Sequence, residues 1–185
     1  MIANYVRDRA GLLEDRDGDI YGFPHRTFQE YLAAMHLASQ LSFPQNLVEL
    51  ARRDPARWRE AVLLAGNNVS QPRFLWSTIE ALYVRQQTPP AQPSEADFWG
   101  GFLAGQLWWD SELRHSPEVD ETVLAGVRHW QVAILTHGAL PPRDRAAAGR
   151  VLAELGDPRE GGGGGWLARC GVGRGGESGQ IHDWG

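Results

Sequence analysis

The sequence predicts a mainly α-helical protein with one small β-hairpin near its start. Two short apolar runs, at residues 12–14 and 20–23, flank an Asp/Gly-rich run at residues 15–19, a pattern typical of a hairpin. From about residue 27 to residue 155, apolar residues recur at spacings of three and four, which is the period of an amphipathic helix. Prolines separate these segments. We therefore expect the hairpin to be followed by a helical bundle or a short helical solenoid.

The first strongly patterned helix begins after Pro24 and is expected to end near Leu41. Thr27 and Glu30 have the spacing of a capping box, in which each side chain bonds the other residue's backbone. One apolar face is formed by residues that recur at helical spacing: Phe28, Tyr31 or Leu32, Met35 and Ala38.

Further amphipathic helices are predicted at residues 45–53, 57–67, 73–85, 97–110, 118–137 and 142–155. A short helix over residues 2–9 is also compatible with the pattern. Aromatic residues at helical spacing pack between helices far more often than they bind ligands. We expect this of the tryptophans on the predicted helices: Trp58, Trp76, Trp99, Trp108, Trp109 and Trp130.

Glycine dominates the chain from Gly161 onward, with five glycines in succession and little apolar content. Such a segment buries too little surface to offset its chain entropy, so residues 160–185 are expected to be a disordered tail. A phosphate-binding loop is not indicated, because no Lys-Ser or Lys-Thr follows the glycines.

The charge pattern excludes several classes of function. The formal net charge is −5 and all 18 basic residues are arginines, which removes the lysine of a P-loop and every Schiff-base mechanism. Arginines are interleaved with acidic residues, so no nucleic-acid partner is expected. No apolar stretch is long enough for a membrane span. Cys170 is the single cysteine and fits a reducing cytoplasm.

Catalytic patterns such as His-Glu-x-x-His, a cysteine pair or Gly-x-Ser-x-Gly are missing from the sequence. His129 and His137 lie eight residues apart on one predicted helix, too far for one metal ion without a third ligand. His25 precedes the first strongly patterned helix, where unpaired backbone N–H groups and a partial positive charge favour an anion. It either adds a donor for a phosphate oxygen or merely connects the hairpin to the helix.

A dense motif lies at the same place. The run Tyr21-Gly22-Phe23-Pro24-His25-Arg26-Thr27-Phe28-Gln29-Glu30-Tyr31-Leu32-Ala33-Ala34 resembles the "F-x-H-x-x-F-Q-E-Y/F-x-A-A" signature of NACHT-family ATPases, a branch of the STAND class. The preceding Gly11-Leu12-Leu13-Glu14 and the hairpin are also similar to the lead-in of that family.

The resemblance implies that this region is part of a winged helix that closes over the nucleotide. The histidine of the signature, His25 here, would contact the ADP β-phosphate in the intact parent protein. Phe23, Phe28 and Leu32 would belong to the winged-helix core. ATP or ADP with Mg would be the cofactor of the parent, and the chain by itself is expected to have none.

A second resemblance covers residues 143–159, where Arg145-Ala146-Ala147-Ala148-Gly149 leads to Leu155-Gly156-Asp157-Pro158-Arg159. This pattern is similar to the segment that precedes a formylglycine-generating-enzyme-like (sulfatase-modifying factor) domain in bacterial multidomain proteins. The run from Trp58 to Gly66 also resembles the helical block that follows the winged helix in such proteins.

These observations predict three regions: a winged-helix remnant of a NACHT module at residues 1–43, a helical region at 44–159 and a disordered tail at 160–185. The expected function is a non-catalytic segment that couples the nucleotide state of a cytoplasmic signalling ATPase to a C-terminal effector module. Its expected partner is its own upstream NTPase core or a related protein, without nucleic acid or membrane. Because the P-loop would lie upstream of Met1, we expect a gene fragment or frame-shifted product.

Three alternatives stay open at this point. The chain could be a remnant of a formylglycine-generating-enzyme-family protein, although that chemistry usually needs a cysteine pair and only Cys170 is present. It could be a stand-alone helical protein-interaction domain. A winged-helix DNA-binding regulator is a third option, but its recognition helix should be basic, whereas residues 27–40 contain Glu30 and no arginine.

Overall fold

The computed structural model describes residues 13–17, 20–68 and 71–159. Most of these residues are helical, which confirms the prediction of a mainly α-helical protein. The described residues form two strands, seven α-helices and one 3₁₀-helix: β1 Glu14–Asp17, β2 Ile20–Gly22, α1 Arg26–Ala38, α2 Gln45–Arg53, α3 Pro55–Asn67, α4 Pro72–Leu82, α5 Glu95–Asp110, the 3₁₀-helix Glu112–His115, α6 Glu121–His137 and α7 Pro142–Leu155.

Strands β1 and β2 pair antiparallel, with Glu14 opposite Gly22 and a register irregularity before Asp17. Strand β1 therefore runs through part of the acidic segment that the sequence analysis assigned to the turn. Main-chain bonds hold such a pair, so acidic residues can form a strand that is not part of the core. In the described part of the chain, neither strand makes more than marginal contact with a helix.

Three expectations fall on residues that the structure does not describe: the short helix at residues 2–9, the hairpin turn at residues 18–19 and the disordered tail at 160–185. The boundaries at residues 43 and 159 between the predicted regions stay predictions.

The bounds of α2 and α7 coincide with those predicted, whereas α1 ends at Ala38 rather than near Leu41. Helix α4 ends at Leu82 rather than at residue 85, and α6 begins at Glu121 rather than at residue 118. Helix α3 begins two residues early, at Pro55, because proline suits the first helical position and the Asp54 carboxylate accepts a hydrogen bond from the Arg57 backbone N–H (3.2 Å). Helix α5 also begins two residues early. Ser94 and Asp97 form a capping box there that the sequence analysis missed.

Helix α5 is the centre of the fold. Every residue from 100 to 108 is buried, and α2, α3, α4, α6, α7 and the 3₁₀-helix all pack around it. A helix that is apolar all round belongs inside a core. Three of the tryptophans predicted to pack between helices are buried (Trp76, Trp108 and Trp130), and the other three lie half-buried against the core, which confirms that prediction.

Two glycines of α5 allow this close approach. A Cβ atom at Gly101 would lie 2.8 Å from the Cβ of Trp130, which belongs to α6. A Cβ atom at Gly100 would meet the carbonyl oxygen of Leu82, at the end of α4. Any larger residue at these positions would therefore push a neighbouring helix away from α5.

Arg52 connects the ends of three helices. Its guanidinium donates to the Leu82 carbonyl oxygen (3.3 Å) at the end of α4 and to the Asp97 carboxylate in the first turn of α5. Burial by itself would raise the pKa of the Asp97 carboxyl. Hydrogen bonds from Arg52 and Ser94 outweigh this effect and hold the pKa below its ordinary value. The ionised carboxylate therefore stabilises the fold.

We expect Gly101→Ala to lower the free energy of unfolding by about 1–3 kcal/mol, because the added methyl overpacks against Trp130. Gly149→Ala is the matched control, since it is also helical but has no atom within 4 Å of the added Cβ. That control should raise the stability by about 0.5–1 kcal/mol through helix propensity. Urea denaturation of both variants checks the pair, and equal effects would contradict the close packing of α5 on α6.

Asp97→Asn should weaken the acid dependence of stability. The folded pKa of Asp97 is lowered, so its stabilisation is present above the unfolded pKa near 3.8 and is lost as the pH falls through the folded pKa. The parent should therefore lose more stability than the variant as the pH falls from 5 to 2.

Asp110→Asn provides a comparison of opposite sign, because burial raises the pKa of Asp110 despite the nearby Arg59. A carboxyl with a raised pKa stabilises the fold at low pH, and this contribution is lost as the pH rises through the folded pKa. The Asn variant should therefore gain stability relative to the parent at pH 7. Urea titrations at several pH values measure both effects, and parallel pH profiles for the two variants would contradict the assignment.

Candidate functional site

His25 lies at the start of α1, where the chain turns from β2 into the helix. It is the N-cap residue, with an extended backbone (φ −125°, ψ 131°), and its carbonyl oxygen accepts from the Phe28 N–H (3.1 Å). Its ring makes no capping hydrogen bond and is exposed. The ring instead lies tilted at 44° against that of Phe28, with the centroids 6.1 Å apart.

The predicted capping box of Thr27 and Glu30 is wrong. The helix begins at Arg26, so Thr27 is already helical and lacks the extended backbone that a capping side chain needs. Glu30 instead accepts a hydrogen bond from Arg26 Nε (2.6 Å), one turn away. Arg26 also donates to the carbonyl oxygen of Ala56 (3.2 Å), which brings the first turns of α1 and α3 together.

Helix α1 packs on α3 and buries one of its faces. Ala34 is fully buried and Leu37 nearly so, whereas Phe28 and Leu32 remain 40% and 44% exposed. The resemblance placed Phe28 and Leu32 in a core, and for the described residues this is wrong; Phe23, the third residue of that set, is half-buried. The buried face thus carries Ala34 and Leu37, and the face that carries Phe28 and Leu32 is turned outward.

A cleft of about 500 Å³ opens between the first turns of α1 and α3. It is lined by Arg26, Gln29, Glu30, Ala33, Asp54, Ala56, Arg57, Trp58 and Ala61. Most of its charged groups are used within the protein: Arg26 pairs with Glu30, and Asp54 caps α3. The Arg57 guanidinium lies 5.9 Å from the centre of the Trp58 ring. The cleft thus lies between α1 and α3 of the helical region. Arg26, which lines it, directly follows His25 in the sequence.

Arg59 extends the contacts of α3 to the opposite side. Its Nη1 donates to Asp144 Oδ1 (3.0 Å) in the first turn of α7, and its guanidinium lies over the Phe102 ring of α5 at 5.1 Å. The carboxylate side chain of Asp144 is 12% exposed and that of Arg59 is 32% exposed. Helix α3 therefore contacts α1 on one side and α7 on the other, a link across 85 residues that the sequence analysis missed.

Two more arginines hold the far end of α7. Arg114 pairs with Glu154 (3.2 Å), and Arg128 donates two hydrogen bonds, of 3.2 and 3.0 Å, to the carbonyl oxygen of Leu155. That carbonyl belongs to the last residue of the helix, so no N–H group within the helix donates to it. The end of α7, just before residues 156–159, is thus fastened to the rest of the helical region.

The two histidines considered as metal ligands have protein contacts instead. His129 Nδ1 lies 3.2 Å from the Gln87 carbonyl oxygen, and the His137 ring is tilted against that of Phe98 at 5.5 Å. Over the described ranges, no three His, Cys, Asp or Glu residues are grouped to hold a metal ion. The helices that the structure describes include none with the length and apolar character of a membrane span.

Comparison with protein families addresses the start of the chain. Residues 2–37 match a family described as a winged helix-turn-helix domain C-terminal to NACHT. This supports a NACHT-associated winged-helix domain there. The matched residues include both strands, His25 and all but the last residue of α1. No curated protein matches the chain, and no solved structure does. The similarity of residues 143–159 to the segment before a formylglycine-generating-enzyme-like domain stays a prediction, as does a bacterial origin.

Proposed function

We propose that the chain is a regulatory segment of a NACHT-type signalling ATPase, and that it couples nucleotide state to a C-terminal effector module. The observation that carries this proposal is the match of residues 2–37 to a winged-helix domain that follows NACHT domains. The last helix of the matched part, α1, packs on α3 of the helical region. A displacement of the matched domain would therefore act directly on α3.

The contacts of α3 supply a physical route for this coupling. Arg26 on α1 is bonded to the Ala56 carbonyl of α3, and Arg59, one turn further along α3, is bonded to Asp144 of α7. Helix α7 is in turn the last described element before the chain continues past residue 159. In this proposal, closed and open states differ in how α1 and α3 are seated, and the population shift reaches α7 through Asp144.

The nucleotide and its Mg would be held by an upstream NTPase core, either that of the same protein or of a related one, in the cytoplasm. The chain itself contributes no catalytic group in this proposal, because its sequence lacks the P-loop lysine. His25 would contact the ADP β-phosphate. Two features favour that role: the ring is exposed at a helix start, and it is not used for capping.

In a longer chain that includes the NTPase core, His25→Ala should speed ADP dissociation. A hydrogen bond to a charged group contributes about 1.5–3 kcal/mol, so ADP affinity should fall by about one to two orders of magnitude. His36→Ala is the matched control, since His36 is exposed on the same helix and contacts Gln40 at 2.8 Å.

Stopped-flow release of a fluorescent ADP measures this effect, and thermal melting of the same variants shows whether they remain folded. Equal ADP dissociation rates in the parent and in His25→Ala would overturn the phosphate contact. They would leave His25 as the residue that joins β2 to α1.

The route through α3 predicts energetic coupling between Arg59 and Asp144. A double-mutant cycle of Arg59→Met and Asp144→Asn should give a coupling of about 1 kcal/mol, between the values for exposed and buried ion pairs. Arg53→Met is the control, because the Arg53–Glu49 pair is 3.4 Å long and almost fully exposed. Its effect on stability should be close to zero.

Hydrogen exchange adds the functional readout. In the longer chain, the amides of α7 should exchange differently in the ADP and ATP states, and Arg59→Met should abolish that difference while α7 stays folded. If the difference survives in Arg59→Met, the Arg59–Asp144 contact is structural only and the coupling runs elsewhere.

A further inference from the structure

A shallow groove of about 440 Å³ lies between α2 and the end of α4, in the helical region and outside the matched residues 2–37. Its surface is mostly apolar. Val48 on α2, Ala81 in the last turn of α4 and Val84 just after α4 supply this apolar lining. Binding sites commonly have volumes of this size, so the groove is large enough to take apolar side chains of a partner.

Val84 has a backbone conformation that valine rarely adopts. Its N–H donates to the Ala81 carbonyl oxygen (3.0 Å), and the Arg85 N–H donates to that of Glu80 (3.0 Å). These two bonds form a Schellman motif, in which glycine usually occupies the left-handed position. Here Val84 (φ 55°) takes that position, and Arg85 (φ 53°) follows it in the same region. Because a β-branched side chain clashes with its own backbone there, the turn is strained.

Contacts on both sides hold the strained turn in place. The hydroxyl of the buried Tyr83 donates to the Val123 carbonyl oxygen (3.3 Å), and the Gln86 carbonyl oxygen accepts from Trp130 Nε1 (2.8 Å). Both partners belong to α6. Strained backbone persists where the surrounding structure imposes it, and it concentrates at binding sites. The Val84 side chain is 49% exposed, so it contributes little to the core, and the strain points to a role in the groove.

The charged residues of the groove define the chemistry of a partner. Glu49 on α2 and Arg85 after α4 line it from two different elements. Each forms only a long ion pair within the protein, Glu49 with Arg53 at 3.4 Å and Arg85 with Glu80 at 3.7 Å. Long, largely exposed pairs contribute little to stability, so a partner can replace them at small cost. A complementary partner therefore carries a basic group on one side of its apolar residues and an acidic group on the other.

Arg52, the remaining charged residue of the groove, is bonded within the protein. Its guanidinium donates to the Leu82 carbonyl oxygen and to the Asp97 carboxylate, and it thereby holds α2 against the ends of α4 and α5. A surface that is fixed before binding loses less conformational entropy when a partner docks.

We infer that this groove binds an amphipathic helix of a partner protein. Apolar residues of that helix pack against Val48 and Val84, an acidic residue pairs with Arg85, and a basic residue pairs with Glu49. Helix-in-groove recognition uses this combination of an apolar surface between two elements and apolar anchors at helical spacing. The inference is independent of the function proposed for residues 2–37, because the groove lies outside them.

A fluorescein-labelled helical peptide tests the inference with the full chain. The peptide carries leucines at positions i, i+3, i+4 and i+7, with glutamates along one side of this stripe and lysines along the other. In the control peptide the leucines are alanines. Fluorescence anisotropy should give a Kd below about 1 mM for the leucine peptide and at least about tenfold weaker binding for the control. Equal binding of the two peptides, or no saturable binding of the leucine peptide, would overturn the inference.

Val84→Gly should change stability and binding in opposite directions. Glycine relieves the strain, so the equilibrium constant of unfolding should fall by about threefold to tenfold. Loss of the valine side chain should weaken binding of the leucine peptide by about tenfold. Val84→Asn keeps a side chain of similar size and tolerates the left-handed region. It should weaken binding similarly, which excludes a more flexible turn as the cause.

Val119→Asn is the matched control, because Val119 is 48% exposed but lies between the 3₁₀-helix and α6. This variant should bind the leucine peptide as tightly as the parent. If folded Val84→Gly and Val84→Asn also bind it as tightly as the parent, the groove is not the binding site and the inference is wrong.

Methyl NMR spectra show where the peptide binds. The methyl resonances of Val48 and Val84 should shift on titration with the leucine peptide, whereas those of Val119 should not; the reverse pattern would contradict the inference. Sedimentation velocity of the chain alone tests for a second copy as the occupant. A concentration-dependent dimer that Val84→Asn abolishes would overturn the partner helix in favour of that second copy.

Discussion

Helix α5 has no side that it can expose to water, and the arrangement of the other helices follows from this constraint. Burying it on all sides requires neighbours on every face, and five α-helices and the 3₁₀-helix supply them. Because Gly100 and Gly101 carry no side chain, α4 and α6 reach the backbone of α5 itself. A methyl group added at either glycine would collide with α4 or α6, and packed cores respond to a single methyl group.

Arginine side chains donate hydrogen bonds between the packed helices, in a sequence that has no lysine. Arg52 reaches a carboxylate and a carbonyl oxygen at the ends of two helices, and Arg128 makes two bonds to one carbonyl at the end of α7. These contacts use several N–H groups of one planar guanidinium, which the ammonium group of lysine would not reproduce. Arginine thus satisfies helix ends that a bundle built around one central helix brings close together.

Helix α1 differs from the other helices, because its main contact is with α3 rather than with α5. Ala34 and Leu37 are its buried residues, whereas Phe28, Tyr31 and Leu32 lie outward. Ala34 and Leu37 nevertheless belong to the same buried apolar cluster as the residues of α5. In the proposed function, the domain matched at residues 2–37 would move relative to the helical region.

The sequence by itself determined the helices to within about three residues, the resemblance of its start to a NACHT-associated region and the position of His25 before α1. Apolar periodicity, the positions of prolines and a contiguous motif each involve residues that are close together in the sequence, so they can be recognised without the tertiary structure. Only the tertiary structure decided which face of α1 packs: close approach to α3 selected Ala34 over Phe28 and Leu32. Likewise, the Arg59–Asp144 pair joins residues 85 positions apart, and no local pattern in the sequence specifies such a contact.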